Sequence, residues 1–326
     1  MPFSIERYNP SFAHDWDDFV ARAKNGSFLF MRGYMDYHAD RFEDFSLIAR
    51  NEKGRIAALL PANRRGSLLH SHGGLTYGGW IAGFKNFDVI AMLAIQNAAN
   101  RFLADAGITG ILYKPIPYIY CKEPAEEDRY MLFRNHAVLE SSQVSITVDL
   151  ASDAGIDEAM RRKARKATQT GLRVESSLNL APFWQILTDL LRDRYNVAPV
   201  HTLEEITLLR DRFPDNIRLY TVSLNGQILA GSLLYLVGLV VHAQYIASSP
   251  DGKELNALPL LFDTLIRESR LKGYRYFDFG TCNEQGGWYL NEGLARQKIS
   301  FGGRAVVYNT YRISLPETTT AENNQS

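Results

Sequence analysis

The chain has 326 residues, 46% of them hydrophobic and 22% charged, enough to enclose about two ordinary globular cores. Its 36 Lys and Arg balance 36 Asp and Glu, so no net field draws it to nucleic acid or an anionic membrane, and any polyanion has to be met by a local patch. Two cysteines, Cys121 and Cys282, lack CxxC or Cys/His spacing, which excludes a disulfide framework and a zinc module and fits a reducing cytoplasm.

The opening MPFSIERYNPSF has no basic stretch followed by an apolar core, so no signal peptide is expected. HDWDDFVARAKNG (residues 14–26) predicts the first helix, followed by the aromatic stretch SFLFMRGYMDYH. FSLIARN, RIAALLPAN and SLLHSHGGLTYGGWI predict three strands, the first two joined through Gly54. A helix over 88–107 ends at Gly107, and TGILYKPI predicts the strand after it.

The second half carries the same order. Helices are expected over 181–197 and 201–213, the latter with Thr202 and Glu205 at capping-box spacing. IRLYTVSL, QILAGSLLYLVG and LVVHAQYIAS then read as a meander, with Asn225-Gly226 as a tight hairpin turn. Its apolar run over 228–243 is shorter than the roughly 20 residues a spanning helix needs, so no membrane span is expected. A helix over 257–273 has Pro259 in its first turn and Gly273 at its end, and YRYFDFG follows as a strand. Turn glycines Gly54 and Gly226 and helix-end glycines Gly107 and Gly273 lie at similar spacing, so one α/β unit occurs twice.

This is an α+β plan: two domains in tandem, each a mixed, mainly antiparallel sheet flanked by helices. The expected division is 1–148 and 149–315, with a polar tail, 316–326, expected to be disordered.

Three stretches carry a resemblance. YKPIPYIY is followed by Glu-Asp and by a strand ending in Asp149-Leu150; RRKARKATQTGLRV is a basic helix running into Gly and a β run; and FDFG with a glycine-rich loop precedes GLARQKISFGGRAVVY. Together they resemble the FemAB-type family of tandem GNAT acyltransferase domains, over about residues 3–315. The resemblance implies an N-acyltransferase with no tightly bound cofactor and no metal. It would move an aminoacyl group from aminoacyl-tRNA onto an amine of a cell-envelope precursor. The alternative donor is acyl-CoA, with a sugar or other small amine as acceptor, and the third reading is a tandem domain that binds a precursor without catalysis. Two positions depart from the pattern. SSPDGKELNALPLL lacks the glycine-rich pyrophosphate turn of CoA-dependent relatives and carries Asp251 and Glu254, expected to repel a pyrophosphate; Gln297 replaces the aromatic residue that precedes the family's Lys.

Candidate residues follow from chemistry and resemblance together. Lys298 could stabilise a developing oxyanion or hold a donor phosphate, against the bland reading of an ion-paired surface lysine. Asp278, alternating with Phe277 and Phe279 in a strand, is a candidate base or amine-orienting carboxylate, and Glu284 a second candidate base in the glycine-rich loop that follows. Cys282 has no neighbouring His and is expected to be a small buried hydrophobe. Arg161, Arg162, Arg165 and Lys166 form the one basic cluster, suited to phosphates of tRNA or of a nucleotide- or lipid-linked precursor. Strict alternation puts His242 and Tyr245 on opposite faces of their strand, as walls of a cleft. Tyr34 and Tyr37, with Arg32, are expected at the acceptor side of the first domain, by resemblance. His70 and His72 lack a third ligand at useful spacing, so a metal site is not expected.

Overall fold

The computed structural model describes residues 2–85, 87–152 and 155–316; the tail expected to be disordered lies, from residue 317, outside them. The chain divides into two compact units, residues 1–142 with 308–326, and residues 143–307. The sequence places the division at 148/149 and ends the second unit at 315. The difference comes from two long strands, β9 (Val138–Asp149) and β17 (Arg304–Ser314), each of which starts in one unit and finishes in the other.

In the first unit the chain runs through β1 (Ser4–Arg7), α1 (Ala13–Arg22), α2 (Arg32–Met35), β2 (Glu43–Asp44) and β3 (Leu47–Arg50). The predicted strand RIAALLPAN is two strands, β4 (Ile56–Leu60) and β5 (Asn63–Arg65), in different sheets. Pro61, which has no N–H to donate, stands at the break. SLLHSHGGLTYGGWI is likewise β6 (Leu68–His70) and β7 (Ile81–Ala82), so the expected antiparallel run is kept as β3-β4-β7 but is interrupted between β4 and β7 by the β5–β6 hairpin. One antiparallel sheet has the order β1-β3-β4-β7; β2, β5 and β6 continue to β8 (Gly110–Tyr113), which is parallel to β6 and antiparallel to the end of β17. Helix α3 (Val89–Asp105) is capped by Asp88, whose carboxylate accepts from Ala91 N at 2.8 Å, and ends before Gly107 at φ +76°. It buries Met92, Ile95, Ala99 and Leu103 against both sheets, and α4 (Glu127–Arg134) closes that core with Met131 and Leu132.

In the second unit the meander forms as read. After α5 (Glu158–Gln169) and β10 (Arg173–Ser177) come α6 (Ala181–Tyr195) and α7 (Leu203–Arg212), the latter with its Thr202–Glu205 capping box intact. β11 (Ile217–Leu224), β12 (Gln227–Val237) and β13 (Val240–Ser248) pair antiparallel, with Asn225 and Gly226 both at positive φ in the turn. α8 (Pro250–Glu254) and α9 (Ala257–Leu271) lead to β14 (Tyr276–Thr281), which lies between β13, parallel, and β9, antiparallel. A small hairpin, β15 (Asn283–Glu284) with β16 (Tyr289–Leu290), and α10 (Glu292–Ile299) complete the unit.

One sheet face buries Leu234, Ala243, Phe277 and Phe279 against Leu261, Leu265 and Phe301, with α5 applied through Ala164 and Ala167. α6 covers the other face. A Cβ at Gly231 would sit 2.7 Å from the Phe183 ring and 2.9 Å from Tyr220 O. Gly231→Ala is therefore expected to cost about 1–3 kcal/mol in a denaturant titration, as overpacking does.

Candidate functional site

The site is built where two parallel strands part. β13 and β14 pair only at Val240–Tyr276, Val241–Phe277 and His242–Asp278, although β13 continues to Ser248 and β14 to Thr281. At that last rung His242 Nδ1 lies 2.8 Å from Asp278 Oδ2. The other carboxylate oxygen accepts from the hydroxyls of Ser145 and, at 2.8 Å, Thr147, both on β9. Asp278 is 0% exposed and His242 9%. A carboxylate so enclosed, receiving two hydroxyl protons and an imidazole N–H, is held as an acceptor for the ring. Asp278 therefore orients His242, and its Nδ1–H tautomer puts the basic lone pair on Nε2, the logic of a base set by a third group. Gly280, at φ +74°, turns β14 away just beyond, and a Cβ there would lie 3.5 Å from His242 Cε1.

His242 and Tyr245 are on the same face of β13, not opposite faces. The register shifts between Leu233–Tyr245 and Leu234–Ala243, so Gln244 is a bulge residue and the alternation inverts past it. Tyr245 stands edge-on to Trp184 of α6, and its hydroxyl lies 2.6 Å from His201 Nδ1.

Lys298 reaches this region from α10 but is not a free-standing cation. Its ammonium, 6% exposed, donates to Gly280 O and Thr281 O, each at 2.9 Å, and interacts with the Cys282 thiol. Burial lowers its pKa from the ordinary lysine value, and burial raises that of the Cys282 thiol, which Lys298 partly opposes. Lys298 thus latches the turn that ends β14. Glu284 is exposed on the hairpin, where it accepts from Asn291 Nδ2 at 3.1 Å, apart from the His242–Asp278 pair.

The basic helix α5 serves two clefts. Lys163, with Lys253 of α8 and Arg296 and Gln297 of α10, lines a cleft of 450 Å³ with no acidic side chain in its wall. Asp251 and Glu254 instead line a separate cleft with Asn225 and Gln227. The repulsion expected from these two carboxylates is therefore directed away from the cationic cleft. Arg161 and Arg165 line a third cleft beside α9, while Arg162 and Lys166 are exposed outside all three.

In the first unit, Tyr34 is buried edge-on between Phe28 and Tyr37, and Tyr37 stacks on His38 at 4.3 Å. Arg32 is buried, paired to Asp36 and Asp44 with its guanidinium 3.8 Å from the Tyr8 ring centroid. His72 is buried and its pKa is lowered to about 3, chiefly by desolvation. Among the described residues no group of three or more His, Cys, Asp or Glu is arranged to hold a metal. Nor, among them, is any helix long and apolar enough to cross a membrane.

Ser145 and Thr147 were legible in principle, since VSITVDL alternates hydroxyl and aliphatic residues. Lys253 and Arg296 carried no such signal, being lone cations on separate elements.

Residues 150–287 match the family model described as an acetyltransferase (GNAT) domain. No curated protein matches the chain in sequence. Among solved structures, FemX is similar with a TM-score of 0.70 at 13% identity, over 95% of this chain and 97% of its own. L-PGS from Bacillus licheniformis is similar at 0.59 and 13%, over 93% and 91%. A tandem GNAT protein from the clavulanic acid biosynthesis pathway is similar at 0.54 and 10%, over 96% and 99%. At these identities the structures establish the fold, and the family model establishes the domain type. Residues 150–287 thus match a GNAT acetyltransferase domain, and the chain as a whole has the fold of FemX and of that tandem GNAT protein.

Proposed function

We propose that the chain is an N-acyltransferase that moves an aminoacyl or acyl group from an activated donor onto an amine of a cell-envelope precursor. The observation that carries this reading is the His242–Asp278 pair at the rung where β13 and β14 separate. From Ala243 onward β13 is no longer paired to β14, so the donor's acyl group enters between the strands and its carbonyl carbon stands beside the imidazole. The acceptor amine attacks that carbon, and His242 Nε2 takes the proton the amine loses. The tetrahedral intermediate then collapses, the bond from carbon to the donor's oxygen or sulfur breaks, and the imidazolium returns its proton to the leaving group. Positioning and electrostatics supply the rest.

The donor's phosphates lie in the cleft of Lys163, Lys253 and Arg296. The sequence resemblance to the FemAB-type family favours aminoacyl-tRNA as donor and an envelope component as acceptor, and the similarity of fold to FemX is consistent with it. A second reading, acyl-CoA as donor, is favoured by one observation: the cleft next to α8 has cations and no carboxylate in its wall, so it admits a pyrophosphate.

The test is steady-state transfer from charged tRNA and from acetyl-CoA to an amine acceptor, in wild type and in K163Q/K253Q/R296Q. The variant is expected to raise KM for the true donor at least roughly tenfold, as loss of several charge-assisted contacts does, with kcat within about twofold. No transfer from either donor by the wild type would overturn the reading and favour a binding protein.

A further inference from the structure

The third cleft, between α5 and α9, has no part in the transfer chemistry above. It has a volume of 440 Å³ and an apolar floor that includes Ile266 and Phe301. Its wall holds four arginines, Arg161 and Arg165 from α5 and Arg267 and Arg270 from α9, and one carboxylate, Asp263 of α9. Two are compensated: Arg267 pairs with Asp263, and Arg165 with Glu158 at 2.6 Å. Among the described residues Arg161 and Arg270 form no ion pair; Arg270 donates to Ser152 O at 3.1 Å. In a chain of zero formal net charge, the four guanidinium groups exceed the two carboxylates paired with them, which leaves a local excess of two positive charges, one on each helix, around one concavity.

The geometry points to a phosphate-binding site in this cleft, separate from the cleft of Lys163, Lys253 and Arg296. Guanidinium forks match phosphate oxygens in pairs, and forks on two helices close on a ligand from both sides. The chemistry is a phosphate or diphosphate ester whose remainder lies on the apolar floor. Its source is either a phosphodiester of an RNA chain or a small phosphate ester. Arg267 and Arg270 extend the basic patch that the sequence locates on α5 alone. The proposal does not rest on His242 or on the identity of the acyl donor.

The experiment is titration calorimetry with inorganic pyrophosphate, repeated with a short RNA hairpin as competitor. It uses the full chain, R161Q/R270Q, and the charge-matched control K272Q/R275Q, whose residues lie outside the cleft. Pyrophosphate is expected to bind the wild type and the control alike and R161Q/R270Q at least roughly tenfold more weakly, the loss expected for charge-assisted bonds. Competition by the hairpin assigns the site to an RNA phosphodiester; its absence assigns a small ester. Equal weakening in both variants would mean a diffuse charge effect and overturn the site, as would no binding by the wild type. Unchanged thermal unfolding of R161Q/R270Q excludes misfolding, because both side chains are exposed. H242N must leave pyrophosphate binding intact, so failure of the transfer mechanism and failure of this site are read separately.

Discussion

His242→Asn is expected to lower kcat for acyl transfer by about 10²–10⁴, the usual contribution of a positioned general base, while leaving KM for the donor within about twofold. The ring is held by Asp278, and Asp278 is held in turn by the Ser145 and Thr147 hydroxyls, so the imidazole is oriented before substrate arrives. Asp278→Asn keeps the shape of the carboxylate but withdraws the charge that orients the imidazole. It is expected to give a smaller loss of the same kind, and the double variant is expected to be little worse than H242N alone, because the two residues act as one unit. Transfer rates at saturating donor and acceptor, with thermal unfolding as a check on folding, measure this. Retention of more than about half of wild-type kcat in H242N would mean that the amine is deprotonated by water or by the substrate itself, and the dyad would then be structural.

Lys298→Met separates two roles for the most prominent cation of the sequence signature. If Lys298 is the latch its contacts describe, the variant leaves Gly280 O and Thr281 O without their buried donor. Loss of two charge-assisted hydrogen bonds is expected to cost roughly 2–4 kcal/mol of stability, and activity falls because the turn beyond Asp278 loosens. If the ammonium instead touched the reacting carbonyl, kcat would fall with stability unchanged. The pH dependence gives a second reading. Burial lowers the pKa of Lys298, so the unfolded chain keeps that proton to higher pH than the folded one. Stability linked to this group therefore rises with pH across the window between its lowered value and the ordinary lysine value, and the Lys298→Met variant is expected to flatten that slope. Denaturant midpoints from pH 7 to 10, for wild type and variant, decide it.

Much of the architecture was readable from local signals. The Asn225-Gly226 hairpin, the Thr202–Glu205 capping box and the helix stop at Gly273 depend on neighbours in sequence, and each stands where expected. The first unit was less legible. Pro61 divides one apolar run between two sheets, and hydrophobic patterning alone does not distinguish one long strand from two short ones. The candidate site was half legible: Asp278 and Lys298 stood on either side of one glycine-rich loop, while the partners His242, Ser145 and Thr147 lay elsewhere in the chain.

Periodicity, turn chemistry and three motif stretches thus determined by themselves the α+β plan, the repeated unit and the neighbourhood of the site, because these depend on residues near one another in the chain. Tertiary structure alone decided the rest. The bulge at Gln244 moved Tyr245 to the face of His242, since register is set by the partner strand. The approach of α10 to the end of β14 gave Lys298, a candidate for oxyanion or phosphate contact, the carbonyls of Gly280 and Thr281 as partners. The orientation of α8 sent Asp251 and Glu254 to one cleft and Lys253 to another, a separation of charge that no linear spacing encodes.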